Sequence, residues 1–276
     1  MDAPILRDLL AKSGAWLATK GLTNGRREAE WIFAESLGLS RLDLYTRWDM
    51  PLEPTEVTKL RERVARRGRR EPLAYIIGTQ PFADLTLTVG PGVLVPRPET
   101  EELVPLVLAD APFGTRLLDV GTGSGAIALA CAKARPDLRV EATDVSAAAL
   151  AIAQGNATRL GLGVTFHQGD LTRHLTGPYG VVVANLPYIA EDERGVCDPE
   201  LAFEPAEALF AGVDGLDLIR PLLADLRRMA PGGVAWLEHG WRQGAAIAAL
   251  ATTQGLTSRL VQDGAGKDRF TRVPVS

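Results

Sequence analysis

The chain has few of the residues that build disulfide frameworks and metal sites: two cysteines and three histidines among 276 residues. Cys131 and Cys197 stand far apart and form no Cys-x-x-Cys pair, so neither a disulfide framework nor a thiolate metal site is expected. No apolar run approaches the roughly 18 residues that span a membrane, and no segment resembles a signal peptide. We therefore expect a cytoplasmic protein with no membrane partner and no bound metal.

Charge is distributed unevenly along the chain. Residues 1–75 carry 14 Lys and Arg against 11 Asp and Glu, and the remainder carries 16 against 23, so the net charges are +3 and −7. The negative part disfavours binding to phosphates, and we expect no nucleic-acid partner. The basic run Arg61–Arg70 is interpreted either as a solvated helix face or as a surface that docks onto an acidic protein or nucleic acid.

Residues 1–75 have apolar side chains at helical spacing, and four helices are predicted there. Gly38 is expected to end the second helix, Ser40 to cap the third and Pro54 to open the fourth. Because each helix has one apolar stripe, we predict a small helical bundle as a separate N-terminal domain.

Residues 76–97 are predicted to form a β-hairpin connector. Phe82–Val89 alternates apolar and polar residues, and Gly90–Gly92 is expected to turn it back into Val93–Val95. Prolines then stiffen the chain, and a helix opens at Pro98 or Thr100. Arg97 and Glu99 in this segment are interpreted either as a grip on cofactor or substrate or as a surface ion pair.

Residues 98–276 are predicted to form an α/β domain, because five apolar strands alternate with helices as in a parallel sheet covered on both faces. Asp214 is expected to cap one of these helices. Two closing extended segments follow without a helix between them, so the last strand is expected to be antiparallel. The sheet is therefore predicted to have seven strands.

The first strand, Arg116–Val120, runs directly into a glycine-rich turn, Gly121-Thr122-Gly123-Ser124-Gly125, and a helix from about Ser124. Such glycines let the backbone approach a nucleotide-like ligand closely. The second strand ends at Asp144, 19 residues after Gly125, where a carboxylate can bind the two hydroxyls of a ribose. After the third strand, Asp170 is interpreted either as an acceptor for an adenine amine, with Leu171 against the ring, or as a turn cap.

The fourth strand, Val181–Ala184, ends in Asn185-Leu186-Pro187-Tyr188. Pro187 lacks an N–H and stops the strand, which leaves the Leu186 carbonyl available as an acceptor. Asn185 adds an amide oxygen and Tyr188 a flat ring. Two acceptors and a stacking face suit a planar substrate with an NH2 group, either a carboxamide or an aminopurine. An ordinary turn is the alternative interpretation.

This corner resembles the [Asn/Asp/Ser]-x-Pro-[Tyr/Phe] signature of enzymes that methylate amino groups on planar systems. Nearly the whole chain resembles the release factor glutamine methyltransferase family, through the segments Leu94–Glu101, Asp119–Gly125, Asn185–Ile189, Glu204-Pro205 and Leu237–Trp241. One departure is Leu186, where the family usually has a second proline. An Asn-Leu-Pro-Tyr corner is also similar to that of enzymes that methylate adenine in ribosomal RNA.

The resemblance implies a Rossmann-like class I methyltransferase sheet that binds S-adenosyl-L-methionine and releases S-adenosyl-L-homocysteine. The residues implied to hold the cofactor are Gly121, Thr122, Gly123, Ser124, Gly125, Asp144, Asp170, Leu171 and Asn185. Those implied to bind and orient the substrate are Asn185, Leu186, Pro187 and Tyr188, with Arg97 and Glu99 beside them. The implied substrate is the glutamine of the Gly-Gly-Gln loop in bacterial peptide chain release factors, and the N-terminal domain is implied to dock them.

We expect a monomer. Alternative functions are methylation of adenine in nucleic acid or of a ribosomal-protein glutamine. A nicotinamide-dependent oxidoreductase and a non-catalytic adaptor are more distant alternatives, and the spacing of Gly121–Gly125 lacks the G-x-G-x-x-G pattern of the former.

Overall fold

The computed structural model describes residues 4–276, so the first three residues of the predicted N-terminal domain lie outside the described residues. The chain divides into two compact units. Unit 1 comprises the residues up to Thr79 together with Asp198–Phe203, and unit 2 comprises Gln80–Cys197 and Glu204–Ser276. None of the helices within residues 4–276 has the length and apolar character needed to cross a membrane.

Unit 1 is helical, as the apolar spacing predicts. Its helices are α1 (Leu6–Thr19), α2 (Gly25–Leu37), α3 (Arg41–Thr46), α4 (Pro54–Gly68) and α5 (Leu73–Ile77). Gly38 ends α2 in the left-handed conformation (φ 65°), and the Ser40 hydroxyl accepts from the Asp43 N–H at 3.1 Å to cap α3. The predicted end of α2, cap of α3 and start of α4 at Pro54 are confirmed, whereas α5 is a fifth helix that the sequence does not predict. Apolar side chains from the stripes, among them Leu17, Phe33 and Leu60, form a buried core.

The basic run at the end of α4 is bound largely by acidic side chains of unit 1 itself. The ion pairs are Arg63 with Glu35, Arg66 with Glu71, Arg67 with Glu28 and Glu200, and Arg70 with Glu200. The interpretation as a solvated face is therefore wrong for these four arginines. Sequence spacing did not indicate the pairs because most partners lie on other helices or in the distant segment Asp198–Phe203.

Arg67 is the most buried member of the run, with its side chain 6% exposed. Its guanidinium donates to the Glu28 carboxylate, to Glu200 Oε1 at 2.9 Å and to the Glu71 carbonyl at 3.1 Å. Glu200 also accepts from Arg70 at 2.9 Å. This network joins the segment Asp198–Phe203 to α2 and α4 within unit 1.

We expect Arg67→Ala to lower the free energy of unfolding by about 3 kcal/mol, because it removes a buried guanidinium, leaves the partly buried Glu28 without its cation and leaves Glu200 with Arg70 alone. Arg61→Ala is the matched control, since Arg61 is an exposed arginine of the same helix, and its effect should stay within about 0.5 kcal/mol. Urea unfolding of both full-length variants measures the difference. Equal losses in the two variants would contradict a structural role for the Arg67 network.

The β-hairpin lies earlier than the sequence predicts. Strands β1 (Thr79–Phe82) and β2 (Leu85–Thr88) pair through a tight turn in which Ala83 has a φ of 50°. The predicted pairing of Phe82–Val89 with Val93–Val95 is therefore wrong. A left-handed residue in a two-residue turn matches the twist of the strands. Val93 and Val95 are instead buried as an irregular segment, and the Val95 N–H donates to Glu204 Oε2 at 2.9 Å.

Unit 2 is built on a seven-stranded sheet, which confirms the predicted α/β fold. The strands are β3 (Arg116–Val120), β4 (Arg139–Asp144), β5 (Val164–Gln168), β6 (Val181–Asn185), β7 (Val234–Glu238), β8 (Arg259–Gln262) and β9 (Asp268–Pro274). Their order is β5-β4-β3-β6-β7-β9-β8, and β9 runs antiparallel to both neighbours, as predicted. The helices are α6 (Pro98–Asp110), α7 (Ala126–Ala134), α8 (Ala147–Leu160), α9 (Ile219–Met229) and α10 (Gly244–Thr253).

Two helix starts in unit 2 differ from prediction. Helix α7 begins after Gly125, which is left-handed (φ 85°) and cannot belong to the helix. Helix α9 is preceded by Leu218, and the predicted cap Asp214 is wrong. The Asp214 carboxylate instead closes a local turn by accepting from the Leu216 N–H at 3.1 Å, and it pairs with Arg220.

The sheet reverses its winding between β3 and β6. Strands β4 and β5 follow on one side of β3, and β6 and β7 lie on the other. Ligands of open α/β sheets bind outside the carboxyl ends of the strands at this kind of switch point. The turn after β3 and the corner after β6 are therefore the first places to look for a functional site.

Candidate active site

The parallel register brings the ends of three strands to one edge of the sheet. Val120 is paired with Ala184, and Asn185 is paired with Glu238. The glycine-rich turn that starts at Gly121 and the corner that starts at Asn185 therefore leave the sheet side by side. Their closeness follows from backbone pairing alone and does not depend on loop conformation.

A cleft of about 1010 Å³, part of it open to solvent, lies over this edge within unit 2. Residues from at least six separate segments line it. They include Gly92–Leu94, Pro96, Arg97 and Thr100 before and in α6; Val120–Ser124 after β3; Thr143–Ser146 after β4; Gly169–Leu171 after β5; Asn185–Pro187 after β6; and Pro205, Glu207 and Ala208. The cleft follows the carboxyl ends of β3 to β6.

The floor of the cleft is a turn that needs glycine. Gly121 and Gly123 have φ values of 74° and 55°, and a Cβ built on Gly123 would meet no atom within 4 Å. The Asp144 carboxylate accepts from the N–H groups of Gly123 and Ser146, both at 2.9 Å. Asp144 thus fixes the turn while facing the cleft.

A buried carboxyl, Asp119, stabilises the same turn from below. Its Oδ2 accepts from the Thr122 hydroxyl at 2.7 Å and the Ala128 N–H at 3.2 Å. Burial raises the pKa of Asp119 to about 7, against the lowering effect of these two hydrogen bonds.

The corner after β6 presents two oxygen acceptors. The Asn185 amide donates through Nδ2 to the Thr100 hydroxyl at 3.0 Å, which leaves Oδ1 as its acceptor. In the described chain, residues 4–276, no hydrogen bond is made to the Leu186 carbonyl. Leu186 itself is 4% exposed, and its side chain lies under Gly121. The corner therefore offers acceptors while its leucine packs inward.

Tyr188 is held through its backbone. Gln243 donates from Nε2 to the Tyr188 carbonyl at 2.8 Å and to the Asp214 carbonyl at 3.0 Å, and its Oε1 accepts from the Gly240 N–H. Burial, and next the Glu238 carboxylate, raise the pKa of the Tyr188 phenol to about 12. The phenol is therefore neutral at physiological pH.

Family models of known proteins match a part of each unit. The family model of the PrmC N-terminal domain matches residues 8–78, and that of the methyltransferase small domain matches residues 100–203. The release factor glutamine methyltransferase of Geobacter sulfurreducens is 40% identical over 268 residues, which cover 96% of this chain and 94% of the relative. The one from Deinococcus radiodurans is 38% identical over 270 residues, 97% of each chain. The chain belongs to the release factor glutamine methyltransferase family.

The solved structures agree with this fold. The crystal structure of a methyltransferase from Pyrococcus furiosus has a TM-score of 0.52 at 18% identity, and the match covers 68% of this chain and 87% of the other. This structure supports the fold alone. The relatives confirm the resemblance to the release factor glutamine methyltransferase family seen in the sequence, and the family model over residues 100–203 identifies a methyltransferase domain in the α/β unit.

In this release factor glutamine methyltransferase family member, most of the residues predicted for the site line one cleft. They are Arg97, Gly121, Thr122, Gly123, Ser124, Asp144, Asp170, Leu171, Asn185, Leu186 and Pro187. Three are outside that lining: Gly125 precedes α7, Glu99 is exposed on α6, and Tyr188 is half-buried beyond the corner. Asp170 faces solvent and pairs with Arg173 at 2.7 Å. Binding by all of these residues stays a prediction.

Sequence reasoning missed the residues that hold the site in place. Arg97 pairs with Glu204 at 2.6 Å rather than with Glu99, so a surface ion pair of Arg97 with its near neighbour is wrong. Asn156, fully buried in α8, donates to the Ser124 and Thr88 carbonyls, both at 3.0 Å. The family resemblance could have pointed to two such residues. Glu204 and Glu238 lie in the segments Glu204-Pro205 and Leu237–Trp241, as polar residues beside apolar ones.

Glu238 is another buried carboxyl of this methyltransferase domain, 2% exposed at the end of β7. Burial raises its pKa to about 7, while the Thr100 hydroxyl, Arg269 and the Asn185 amide act in the opposite direction. Among residues 4–276, its Oε2 has no hydrogen-bond partner.

Gly215 provides a test of how accurately Tyr188 must be placed. A Cβ on Gly215 would lie 2.1 Å from the Tyr188 carbonyl oxygen, so Gly215→Ala must displace the corner. We expect kcat to fall by about 10²-fold, since a shift of 1 Å at a positioning group costs that much. Gly266→Ala is the matched control, because Gly266 has nearly the same φ (75° against 72°) and no atom within 4 Å of its Cβ.

Both variants incur the strain of a left-handed alanine, about 1–2 kcal/mol of stability. Steady-state kinetics and thermal unfolding of the two variants separate strain from displacement. A fall of kcat in Gly266→Ala equal to that in Gly215→Ala would show that general destabilisation is responsible.

Proposed function

We propose that this chain transfers a methyl group from S-adenosyl-L-methionine to the side-chain amide nitrogen of the glutamine in the Gly-Gly-Gln loop of peptide chain release factors. Relatives named release factor glutamine methyltransferase, 38–40% identical over nearly all of the chain, support the reaction and the substrate. The observation that carries the proposal is the pair of acceptors at the corner, Asn185 Oδ1 and the Leu186 carbonyl, at the edge of the cleft.

The residues that line the cleft fit S-adenosyl-L-methionine. A glycine turn with open space above Gly123 admits a ligand close to the backbone. Asp144 faces the cleft from the end of β4, at the place suited to a ribose, and the buried Leu171 offers an apolar surface to a purine. When bound, the cofactor supplies a methyl group attached to a positively charged sulfur. The sulfur is the leaving group and becomes a neutral thioether.

The task left to the protein is orientation. A carboxamide nitrogen is a poor nucleophile, because its lone pair is delocalised into the carbonyl. Asn185 Oδ1 and the Leu186 carbonyl accept the two N–H groups of the substrate amide, which fixes the amide plane. The nitrogen lone pair is perpendicular to that plane, so its direction toward the methyl group is fixed as well. Preorganised orientation of this kind can lower a barrier by roughly 7–11 kcal/mol. The neutral ring of Tyr188 supports the amide plane.

Proton loss needs no dedicated base at the corner. The amide nitrogen gains a methyl group and gives up one proton, and an amide protonated on nitrogen is acidic enough to release that proton to water. The two acceptors at the corner are uncharged, which agrees with a role in binding N–H groups rather than in removing a proton.

The substrate is tested directly with methyl-labelled S-adenosyl-L-methionine. We expect label on the glutamine of the Gly-Gly-Gln loop when a purified bacterial release factor is supplied, located by mass spectrometry of tryptic peptides. A release factor in which that glutamine is replaced by asparagine is the control and should stay unlabelled. A separate reaction contains ribosomal RNA in place of the release factor, because an Asn-Leu-Pro-Tyr corner is also similar to that of adenine-methylating enzymes. Label on adenine, or none on the release factor, would overturn the proposal.

Asn185→Ala tests the assigned role of the amide. We expect kcat to fall by about 10²–10³-fold, as when one preorganised polar contact is removed from a transition state. The Kd for the cofactor, measured by calorimetry, should change little, because the glycine turn and Asp144 are untouched. Asn24→Ala, an exposed asparagine in unit 1, serves as the control. Near-normal turnover of Asn185→Ala would refute the role.

A further inference from the structure

The amide of an asparagine can occupy its site in two orientations that have nearly the same shape and exchange oxygen for nitrogen. At the corner only one of them is useful. With Oδ1 toward the substrate, Asn185 accepts an N–H; with Nδ2 there, two donors would face each other. Something in the protein must therefore distinguish the oxygen from the nitrogen.

Thr100 is the group in contact with the nitrogen. It lies in the first turn of α6, is 3% exposed, and its Oγ1 is 3.0 Å from Asn185 Nδ2. A hydroxyl alone does not settle the orientation, since it can accept from Nδ2 or donate to Oδ1 equally well. The choice depends on where the hydroxyl hydrogen goes.

Glu238 supplies the missing asymmetry. It is the register partner of Asn185 on the neighbouring strand, it is 2% exposed, and among the described residues its Oε2 has no partner. An ionised carboxylate only accepts hydrogen bonds. Thr100 and Asn185 are the two uncharged side chains that stabilise its ionised form. In its ionised form, Glu238 draws the hydroxyl hydrogen of Thr100 and leaves the Thr100 lone pairs for Asn185. Because burial raises the pKa of Glu238 to about 7, this form predominates above pH 7.

We propose that Thr100 and Glu238 are positioning residues that hold the Asn185 amide with its oxygen toward the substrate. Asn185 Nδ2 donates to Thr100 Oγ1 at 3.0 Å, and in the proposed arrangement the Thr100 hydroxyl donates to the Glu238 carboxylate. Both residues act through Asn185, and no proton is transferred along the chain of hydrogen bonds. A carboxylate at its end also polarises the two hydrogen bonds, which makes Oδ1 a better acceptor. This role rests on the proposed function of the corner.

A pair of substitutions at Thr100 tests the hydroxyl. Thr100→Val keeps the shape and removes the hydrogen-bonding group, and we expect kcat for release-factor methylation to fall by about 10-fold. Thr100→Ser keeps the hydroxyl and should restore most of the activity. If Thr100→Ser is as impaired as Thr100→Val, packing and not the hydroxyl is responsible, and the proposal is overturned.

A double-mutant cycle tests whether Thr100 acts through Asn185. In the Asn185→Ala background, Thr100→Val should cause no further loss, because the amide that it positions is gone. An unchanged 10-fold loss in that background would contradict the proposal. Glu238→Gln is the second variant if Thr100→Val does not fold. Glu238→Gln should reduce kcat in wild type and have no effect in Asn185→Ala. No loss of kcat in wild type, or an equal loss in both backgrounds, would remove Glu238 from the chain of hydrogen bonds.

A readout without turnover separates this inference from the proposed function. In protein labelled with ¹⁵N asparagine, the side-chain NH2 of Asn185 should exchange its hydrogens slowly in wild type and in Thr100→Ser, and faster in Thr100→Val and Glu238→Gln. If wild type methylates no release factor, the proposed function fails while this exchange still tests the positioning. Equal exchange in Thr100→Val and wild type would overturn the positioning role whatever the activity.

Discussion

The pairing of β6 with β3 on one side and β7 on the other is the constraint on which the site depends. It aligns Val120 with Ala184 and Asn185 with Glu238, so three functional turns start from one edge. Strand β6 is buried throughout Val181–Ala184, and a slip by one residue would invert every side chain on it. The burial of this strand thereby fixes the position of the Asn185 amide relative to the glycine turn. The loops refine a geometry that backbone hydrogen bonds have already set.

Much of this architecture could be predicted from local patterns. The run Arg116–Val120 forms β3 with the bounds expected from its apolar pattern, and Ser40 and Gly38 act as the cap and stop that their chemistry suggests. The corner was recognisable because Pro187 interrupts a strand at a position where parallel sheets bind ligands. In these cases the information lies within a few residues of the element that it determines.

The remaining features depend on partners far apart in sequence. Arg67 pairs with Glu200, and Arg97 with Glu204, across 133 and 107 positions. No spacing rule joins such residues, so the sequence alone predicts solvent or a partner protein around the basic run, and Glu99 as the neighbour of Arg97. The predicted position of the hairpin is wrong for a different reason. Ala83 adopts a left-handed conformation that alanine does not favour, so the sequence does not indicate a turn there. Gly90–Gly92 is rich in turn residues but forms no hairpin.

The segment Asp198–Phe203 makes the N-terminal unit discontinuous. Strands β3 to β6 and the corner lie in the sequence between the helices of unit 1 and Glu200. The Glu200 carboxylate nevertheless pairs with Arg67 and Arg70 of unit 1. A transplant of the first 79 residues between relatives would carry Arg67 and Arg70 without Glu200, the carboxylate that they share. The two parts therefore form one structural unit, although different family models match them. Substitutions in α4 and in the loop after the corner are expected to evolve together.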